Sequence, residues 1–116
     1  MKYALLIAGD EEAQASAPPE AQKAMIDAFM AYSDELNAAG VVRAMERLSP
    51  SSTATTVRGK DGSAVTTDGP FAETKEQLGG FFIIECADLD EAIAWASKVP
   101  SVSQGGTIEV RPILDM

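Results

Sequence analysis

The stretch that decides the fold is residues 79–86, which read Gly79-Gly80-Phe81-Phe82-Ile83-Ile84-Glu85-Cys86. Successive side chains of a β-strand point to opposite faces of the sheet, so this segment presents apolar groups on both faces. The start of the chain repeats the pattern in Tyr3-Ala4-Leu5-Leu6-Ile7-Ala8. A sheet that contains these two strands therefore needs cover on both faces.

Two helices are predicted to supply the cover on one face. Apolar residues recur at helical spacing through Met25, Phe29, Tyr32 and Leu36. They predict a first helix from the Pro18-Pro19 pair to Ala39, preceded by a loop over residues 10–19. Ser16 is a possible N-cap of this helix, and Gly40 suits the left-handed position after its end.

The second helix is predicted to begin at Asp88 and to end at Pro100. The spacing from Asp88 to Glu91 is that of a capping box with an acid as the cap. Its buried stripe is predicted to consist of Leu89, Ala92, Ile93 and Ala96.

The remaining segments predict strands and turns. Residues 41–48 are predicted to form a short strand, and Asp61-Gly62 is predicted to join the β-type runs 53–58 and 63–67 as a hairpin. Residues 73–77 are predicted to form one helical turn. Strict alternation over residues 107–113 predicts the last strand.

This order of elements predicts one domain over residues 1–116 of the α+β class. It is a ferredoxin-like split β-α-β fold with an inserted β-hairpin. Both crossover helices lie on the same face of the sheet, so the other face needs a second subunit or stays an apolar patch. The sequence therefore predicts a homodimer packed through its sheets.

Composition excludes several classes of site. The chain has 116 residues with 18 acidic and 9 basic side chains, and the resulting charge of −9 predicts no nucleic-acid binding. One cysteine excludes an internal disulfide, and zero histidines exclude a serine–histidine triad and histidine-based zinc sites. We therefore expect no metal and no cofactor. No signal peptide or membrane span is recognisable, which predicts a cytoplasmic protein without membrane partners.

Residues 68–80, Asp68-Gly69-Pro70-Phe71-Ala72-Glu73-Thr74-Lys75-Glu76-Gln77-Leu78-Gly79-Gly80, carry a resemblance to a known family. They resemble the signature of the DGPF group of YCII-related proteins. Further similar segments are residues 1–11, 54–58, 90–96 and 109–112, so the resemblance covers essentially the whole chain.

The resemblance implies a bacterial protein that forms a dimeric α/β barrel from ferredoxin-like subunits. Some YCII-like relatives have been proposed to be enzymes that use a His–Asp pair, and this chain departs from that pattern because it has no histidine. Relatives of the DGPF type tend to accompany extracytoplasmic-function sigma factors, which implies a regulatory setting.

Asp68 and Arg111 are the main candidate site residues. Asp68 is either a general acid or base at a cleft edge, or a turn residue beside a Phe71 that fills the core. Arg111 alternates with Ile108 and Val110, so it is expected to point between subunits. There it either binds an anionic ligand bidentately or pairs with Glu109, Glu85 or an acid of the partner chain.

The predicted ligand-binding set is Arg111, Glu109, Phe71 and Arg58, with Asp68 as the catalytic candidate. Glu73, Lys75 and Glu76 either line a ligand entrance or face solvent. Cys86 is interpreted as a buried structural thiol.

Two functions remain open from the sequence. The first is an enzyme or binding protein for a small anionic molecule, with its site in a cleft of the dimeric barrel. The alternative is a non-catalytic regulatory or interaction partner of a sigma-factor system.

Overall fold

The computed structural model describes residues 1–115 and shows an antiparallel α+β fold. Its strands and helices are β1 (Lys2–Gly9), α1 (Glu11–Ala15), α2 (Pro19–Ala39), β2 (Val42–Arg47), β3 (Thr55–Lys60), β4 (Ser63–Asp68), β5 (Gln77–Glu85), α3 (Leu89–Ser97) and β6 (Thr107–Pro112). Short 3₁₀ turns lie at Ser51–Thr53 and Pro100–Gln104. The main sheet has the order β2-β5-β1-β6, and every neighbouring pair is antiparallel. This is the ferredoxin-like arrangement that the element order predicts.

One face of the main sheet packs against α2 and α3 and contains the core. In the register of β1 and β5, Tyr3 lies opposite Ile84 and Leu5 lies opposite Phe82. All four side chains are buried, together with Tyr32, Leu36, Cys86, Ala92, Ala96 and Val99. Burial of this apolar set is the main stabilising contribution to the subunit.

Tyr32 joins the two helices across this core. Its hydroxyl donates a 2.7 Å hydrogen bond to the carbonyl oxygen of Trp95. Its ring meets Phe82 edge to face at 5.3 Å and Trp95 at 6.4 Å, measured between ring centroids. Lys98 lies over the Trp95 ring, 5.0 Å from its centroid. The single tryptophan of the chain is thus fixed on the helical side of the sheet.

The other face of the main sheet carries the alternate side chains. Leu6 lies opposite Phe81, and Ala4 lies opposite Ile83. These four side chains are only half-buried, whereas their sequence neighbours on the helical side are almost fully buried. We call the surface centred on Ala4, Leu6, Phe81 and Ile83 the open face. The two-sided apolar pattern of the sequence is thus present in the structure.

β3 and β4 form a separate two-stranded sheet, which we call the arm (residues 55–68). Its turn is the expected one, because Asp61 (φ 51°) and Gly62 (φ 80°) both adopt the left-handed conformation of a tight hairpin. Every residue of β4 is exposed, and in β3 only Thr56 is even half-buried. The chain accordingly measures 47 × 44 × 19 Å with a radius of gyration of 16.0 Å. A compact domain of this length has a radius of about 13 Å.

The predicted boundaries are correct at several points and wrong at others. Gly40 (φ 72°) ends α2 as expected, and Asp88 caps α3 by accepting a hydrogen bond from the amide of Glu91. Helix α1 replaces part of the predicted loop, and Ser16 closes α1 instead of capping α2. Asp10 accounts for α1, because its carboxylate accepts the amide hydrogen of Ala13 at the start of the helix.

Two further sequence predictions are wrong. Residues 73–77 form no helical turn, because Gln77 already begins β5 and the preceding residues are irregular. Leu89 and Ile93 are each 46% exposed, so the buried stripe of α3 is reduced to Ala92 and Ala96. Small alanines bring α3 close to the sheet and leave its larger apolar side chains at the margin.

Within residues 1–115, no helix is both long enough and apolar enough to span a membrane.

Candidate functional site

Strand β6 places Arg111 and Glu109 on the open face, as their alternation with Ile108 and Val110 predicts. Arg111 lies opposite Ala4 on β1, and Glu109 lies opposite Leu6. The guanidinium Nη2 of Arg111 is 2.6 Å from the Glu109 carboxylate. Both side chains remain more than half exposed, so solvent screening limits their attraction to at most about 1 kcal/mol. The pair therefore leaves donors of Arg111 accessible to an anion.

A second ion pair lies on the side of β5 and β2. Arg43 Nε is 3.1 Å from the carboxylate of Glu85, and its Nη1 also donates to the carbonyl oxygen of Gly40 at 2.9 Å. Glu85 continues the alternation of Phe81 and Ile83, so it belongs to the open face. The open face thus has an apolar centre flanked by two exposed arginine–glutamate pairs. The Arg111–Glu109 pair is the ion pair that the sequence analysis gives as one of the two alternatives for Arg111.

The Asp-Gly-Pro-Phe turn forms the base of the arm. Gly69 (φ 95°) donates its amide hydrogen to the carbonyl oxygen of Ala54 at 2.7 Å, and the hydroxyl of Thr56 donates to the carbonyl oxygen of Gly69 at 2.7 Å. Arg58 donates to the carbonyl oxygen of Phe71. The positive φ of Gly69 explains why glycine occupies this position. Two of the predicted ligand-binding residues, Arg58 and Phe71, are thereby brought together.

The side chains of Phe71 and Asp68 both project from this turn into solvent. Phe71 does not fill the core, because 76% of the residue is exposed. Asp68 ends β4 opposite Thr55 and is also exposed. Over residues 1–115 no hydrogen bond or ion pair joins Asp68 to Arg111, so the predicted site residues fall into two groups. Phe71 is among the most exposed of the large apolar residues in the described chain, so the turn projects into solvent.

An open, solvent-exposed cleft of about 650 Å³ lies where β6 begins, beside the segment that follows the turn. Its lining consists of Asp10, Thr74, Lys75, Glu76, Gly105 and Thr107. The hydroxyl of Thr107 donates to the carboxylate of Glu76 at 2.5 Å, which fixes the start of β6 to this segment. Glu73, Lys75 and Glu76 are all exposed to solvent, which is one of their two predicted alternatives, and Lys75 and Glu76 also line this cleft.

Sequence reasoning could not assemble this cleft, because Asp10 and Thr107 lie far from residues 74–76 along the chain. The only sequence signal was the charge of Lys75 and Glu76.

Glu11 connects the start of α1 to the 3₁₀ turn at Ser51 and to the start of β5. Its carboxylate accepts hydrogen bonds from the amide and the hydroxyl of Ser51 at 2.9 and 2.7 Å. The Glu11 amide also donates to the side-chain oxygen of Gln77 at 3.1 Å.

Cys86 is buried, as predicted for a structural thiol. Its Sγ contacts the carbonyl oxygen of Asp88 at 3.6 Å. Burial, with a smaller contribution from Glu91, raises the pKa of the thiol, which disfavours the reactive thiolate. In the described part of the chain, no group of three or more acidic or cysteine side chains is arranged to hold a metal ion.

Comparison with known proteins gives three findings. The profile of the YCII-related domain matches residues 1–116. An uncharacterised protein of Rhizobium meliloti (strain 1021) is 38% identical over 114 residues, which cover 97% of this chain and 92% of the relative. A solved structure of 5-chloro-2-hydroxyhydroquinone dehydrochlorinase from Burkholderia phenoliruptrix, in complex with 2,5-dihydroxybenzoquinone, superposes with a TM-score of 0.52 at 18% identity. That match covers 98% of this chain and 94% of the dehydrochlorinase, and at this identity it supports the fold alone.

Proposed function

The chain belongs to the YCII-related family, and we propose on that premise that it binds a small anionic molecule. The binding site is a cleft between the open faces of two subunits that form a dimeric α/β barrel. Arg111 is the anion-binding group, Glu109 sets its orientation, and Asp68, Arg58 and Phe71 lie at the rim.

The observation that carries this proposal is the open face itself. A half-buried apolar strip beside an accessible guanidinium combines the two features of small-molecule sites, namely an apolar lining and a few oriented polar groups. A planar anion can lie against Phe81 and Leu6 while its oxygens accept two parallel hydrogen bonds from Arg111. Glu109 is only a weak competitor, because its pairing with Arg111 is solvent-exposed.

The total surface area supports the second subunit. The described chain exposes 7982 Å². A folded monomer of 12.2 kDa exposes about 6,100 Å² by the usual scaling of surface with mass. The excess of about 1,900 Å² is more than the roughly 800 Å² that each partner buries in an interface of standard size. An excess of this size supports the second subunit of the proposal.

The dehydrochlorinase with the same fold suggests the first ligand to test. Its structure holds 2,5-dihydroxybenzoquinone, a planar molecule whose two enolic hydroxyls are acidic and ionise readily. We take this compound as a probe of the proposed chemistry, since it has the flat apolar ring and the charged oxygens that the open face suits. A benzoate of similar size, with its single carboxylate, serves as the second probe.

The test is calorimetric titration of the purified protein with 2,5-dihydroxybenzoquinone. We expect binding by the native chain, and Arg111→Lys weakens it by about 1–3 kcal/mol, or about 5- to 150-fold, because lysine keeps the charge but loses the paired donors. Arg43→Lys is the matched control, since Arg43 is also exposed and paired with a glutamate. Absence of binding to both probes, or equal losses in the two variants, would contradict the proposal.

A further inference from the structure

Two aspartate–glycine steps lie at the two ends of strand β4. Asp61-Gly62 forms the tip of the arm, and Asp68-Gly69 forms its base. An aspartate followed by glycine is prone to close a succinimide ring, because glycine places no side chain beside the attacking amide nitrogen. The chemistry of the two steps is therefore the same, and only their surroundings differ.

At the tip of the arm, both reacting groups are unoccupied. Lys60 and Ser63 close the turn as a pair, so the two central residues have no strand partner. Among residues 1–115, neither the Gly62 amide nor the Asp61 carboxylate takes part in a hydrogen bond or an ion pair. Both residues are exposed, and nothing lies within 4 Å of the place where a Cβ of Gly62 would be. Ring closure at the tip therefore breaks no hydrogen bond of either group.

At the base of the arm, the corresponding amide is engaged. The Gly69 amide donates a 2.7 Å hydrogen bond to the carbonyl oxygen of Ala54, and the hydroxyl of Thr56 donates to the Gly69 carbonyl oxygen at 2.7 Å. Gly69 is also half-buried. Attack on the Asp68 carboxylate consumes the amide hydrogen, so this hydrogen bond has to open before the ring can close. Only the locally opened fraction of the protein is then reactive.

We propose that Asp61 is a site of spontaneous isomerisation to isoaspartate, and that the fold protects Asp68 from the same reaction. The Gly62 nitrogen forms a bond to Cγ of Asp61, and one carboxylate oxygen leaves as water with the amide hydrogen and a proton from solvent. Water then adds to the main-chain carbonyl carbon of Asp61, breaks its bond to the Gly62 nitrogen, and leaves a carboxylate and a proton. The inference requires neither a ligand nor a second subunit, so it stands apart from the proposed function.

The product changes the backbone of the turn. In isoaspartate the main chain runs through Cβ and Cγ, which makes it one atom longer than in aspartate. A two-residue hairpin turn has a fixed geometry with left-handed dihedral angles, as at Asp61 (φ 51°) and Gly62 (φ 80°). We therefore expect the pairing of Lys60 with Ser63 to be lost in the product.

The test compares Asp61→Asn with Asp68→Asn in the folded protein. Asparagine followed by glycine closes the same ring with loss of ammonia, and hydrolysis then raises the chain mass by one unit, which mass spectrometry of the intact protein detects. Asn-Gly is a preferred pair for this hairpin turn, so Asp61→Asn keeps the tip. We expect it to convert at least about tenfold faster than Asp68→Asn, which corresponds to about 1.4 kcal/mol for opening the Gly69 amide. The native chain, with its single asparagine Asn37 inside α2, gives the background rate.

Denaturation separates an effect of the fold from an effect of the local sequence. In guanidinium chloride both amides are released, and we expect the two variants to convert at similar rates. Equal rates in the folded proteins, faster conversion of Asp68→Asn, or a difference that persists in guanidinium chloride would each overturn the inference.

The native chain provides a second measurement that needs no substitution. Aspartate and isoaspartate have the same mass, but electron-transfer fragmentation of their peptides distinguishes them. After incubation of the folded protein we expect isoaspartate at position 61 and aspartate at position 68. Isoaspartate at position 68, or aspartate alone at position 61 after a time in which the denatured chain has isomerised, contradicts the inference.

Discussion

The neighbours Phe81 and Phe82 allow the two faces of the main sheet to be tested separately. Phe82 is 5% exposed and meets Tyr32 edge to face, whereas Phe81 is half-buried on the open face beside Leu6. Truncating a core phenylalanine to alanine costs about 3–5 kcal/mol, and an aspartate adds the cost of an unpaired buried charge. Because small domains unfold with about 5–15 kcal/mol, we expect Phe82→Asp to be largely unfolded.

Phe81→Asp has a different expected result. Its carboxylate reaches solvent in the isolated subunit, so the loss of stability stays within about 1–2 kcal/mol, the transfer free energy of a partly buried ring. In the proposed dimer the charge is buried twice, once from each subunit, and we expect dissociation. Light scattering after size exclusion gives the mass, and circular dichroism gives the folded fraction.

The two variants together distinguish the two faces of the sheet. A folded monomer for Phe81→Asp and an unfolded chain for Phe82→Asp is the expected combination. If Phe81→Asp unfolds while Phe82→Asp folds, the assignment of faces is wrong. If Phe81→Asp keeps the mass of the native dimer, the open face is not the interface.

Three other predictions concern single positions. Asp68→Asn should change the free energy of unfolding in urea by less than about 0.5 kcal/mol, since the residue is exposed, and a loss above about 2 kcal/mol would assign Asp68 a structural role. Gly80→Ala should destabilise the fold by about 1–3 kcal/mol, measured by thermal melting, because a Cβ at this position would lie 2.7 Å from the carbonyl oxygen of Glu46. Gly59→Ala is the control: the space around Gly59 is open, so its melting temperature should change much less. Burial raises the pKa of Tyr32 above its usual 10.0, so the folded state keeps a proton that the unfolded state releases above that pH. The free energy of unfolding should therefore fall as the pH rises beyond about 10, and it should fall less steeply in Tyr32→Phe. Thermal melts of both proteins across this pH range measure the difference.

The sequence predicted those helices, turns and strands that are determined by residues close together along the chain. The helical spacing before Gly40, the Asp61-Gly62 turn and the alternation in β6 were sufficient because each element is decided by residues close in sequence. The failures at Leu89 and Ile93 have another cause, since helical periodicity identifies an apolar side but not how much of it the sheet covers.

The candidate site was predictable only in part for the same reason. Alternation placed Arg111 and Glu109 on the open face, which the register of β6 confirms. The motif favoured a core position for Phe71, but the exposed side chain shows that the turn projects from the subunit. The cleft beside Glu76 depends on contacts between distant segments, and such contacts have no signature in a single sequence.

The position of Trp95 gives this protein a built-in optical signal for one side of the sheet. Its indole ring lies between Tyr32 and the ammonium of Lys98, on the helical side and away from Phe81 and Arg111. Intrinsic fluorescence excited at the indole band therefore monitors separation of the helices from the sheet. Dissociation through the open face should leave the emission maximum in place, so a red shift during dilution or titration would report loss of the subunit's own tertiary structure.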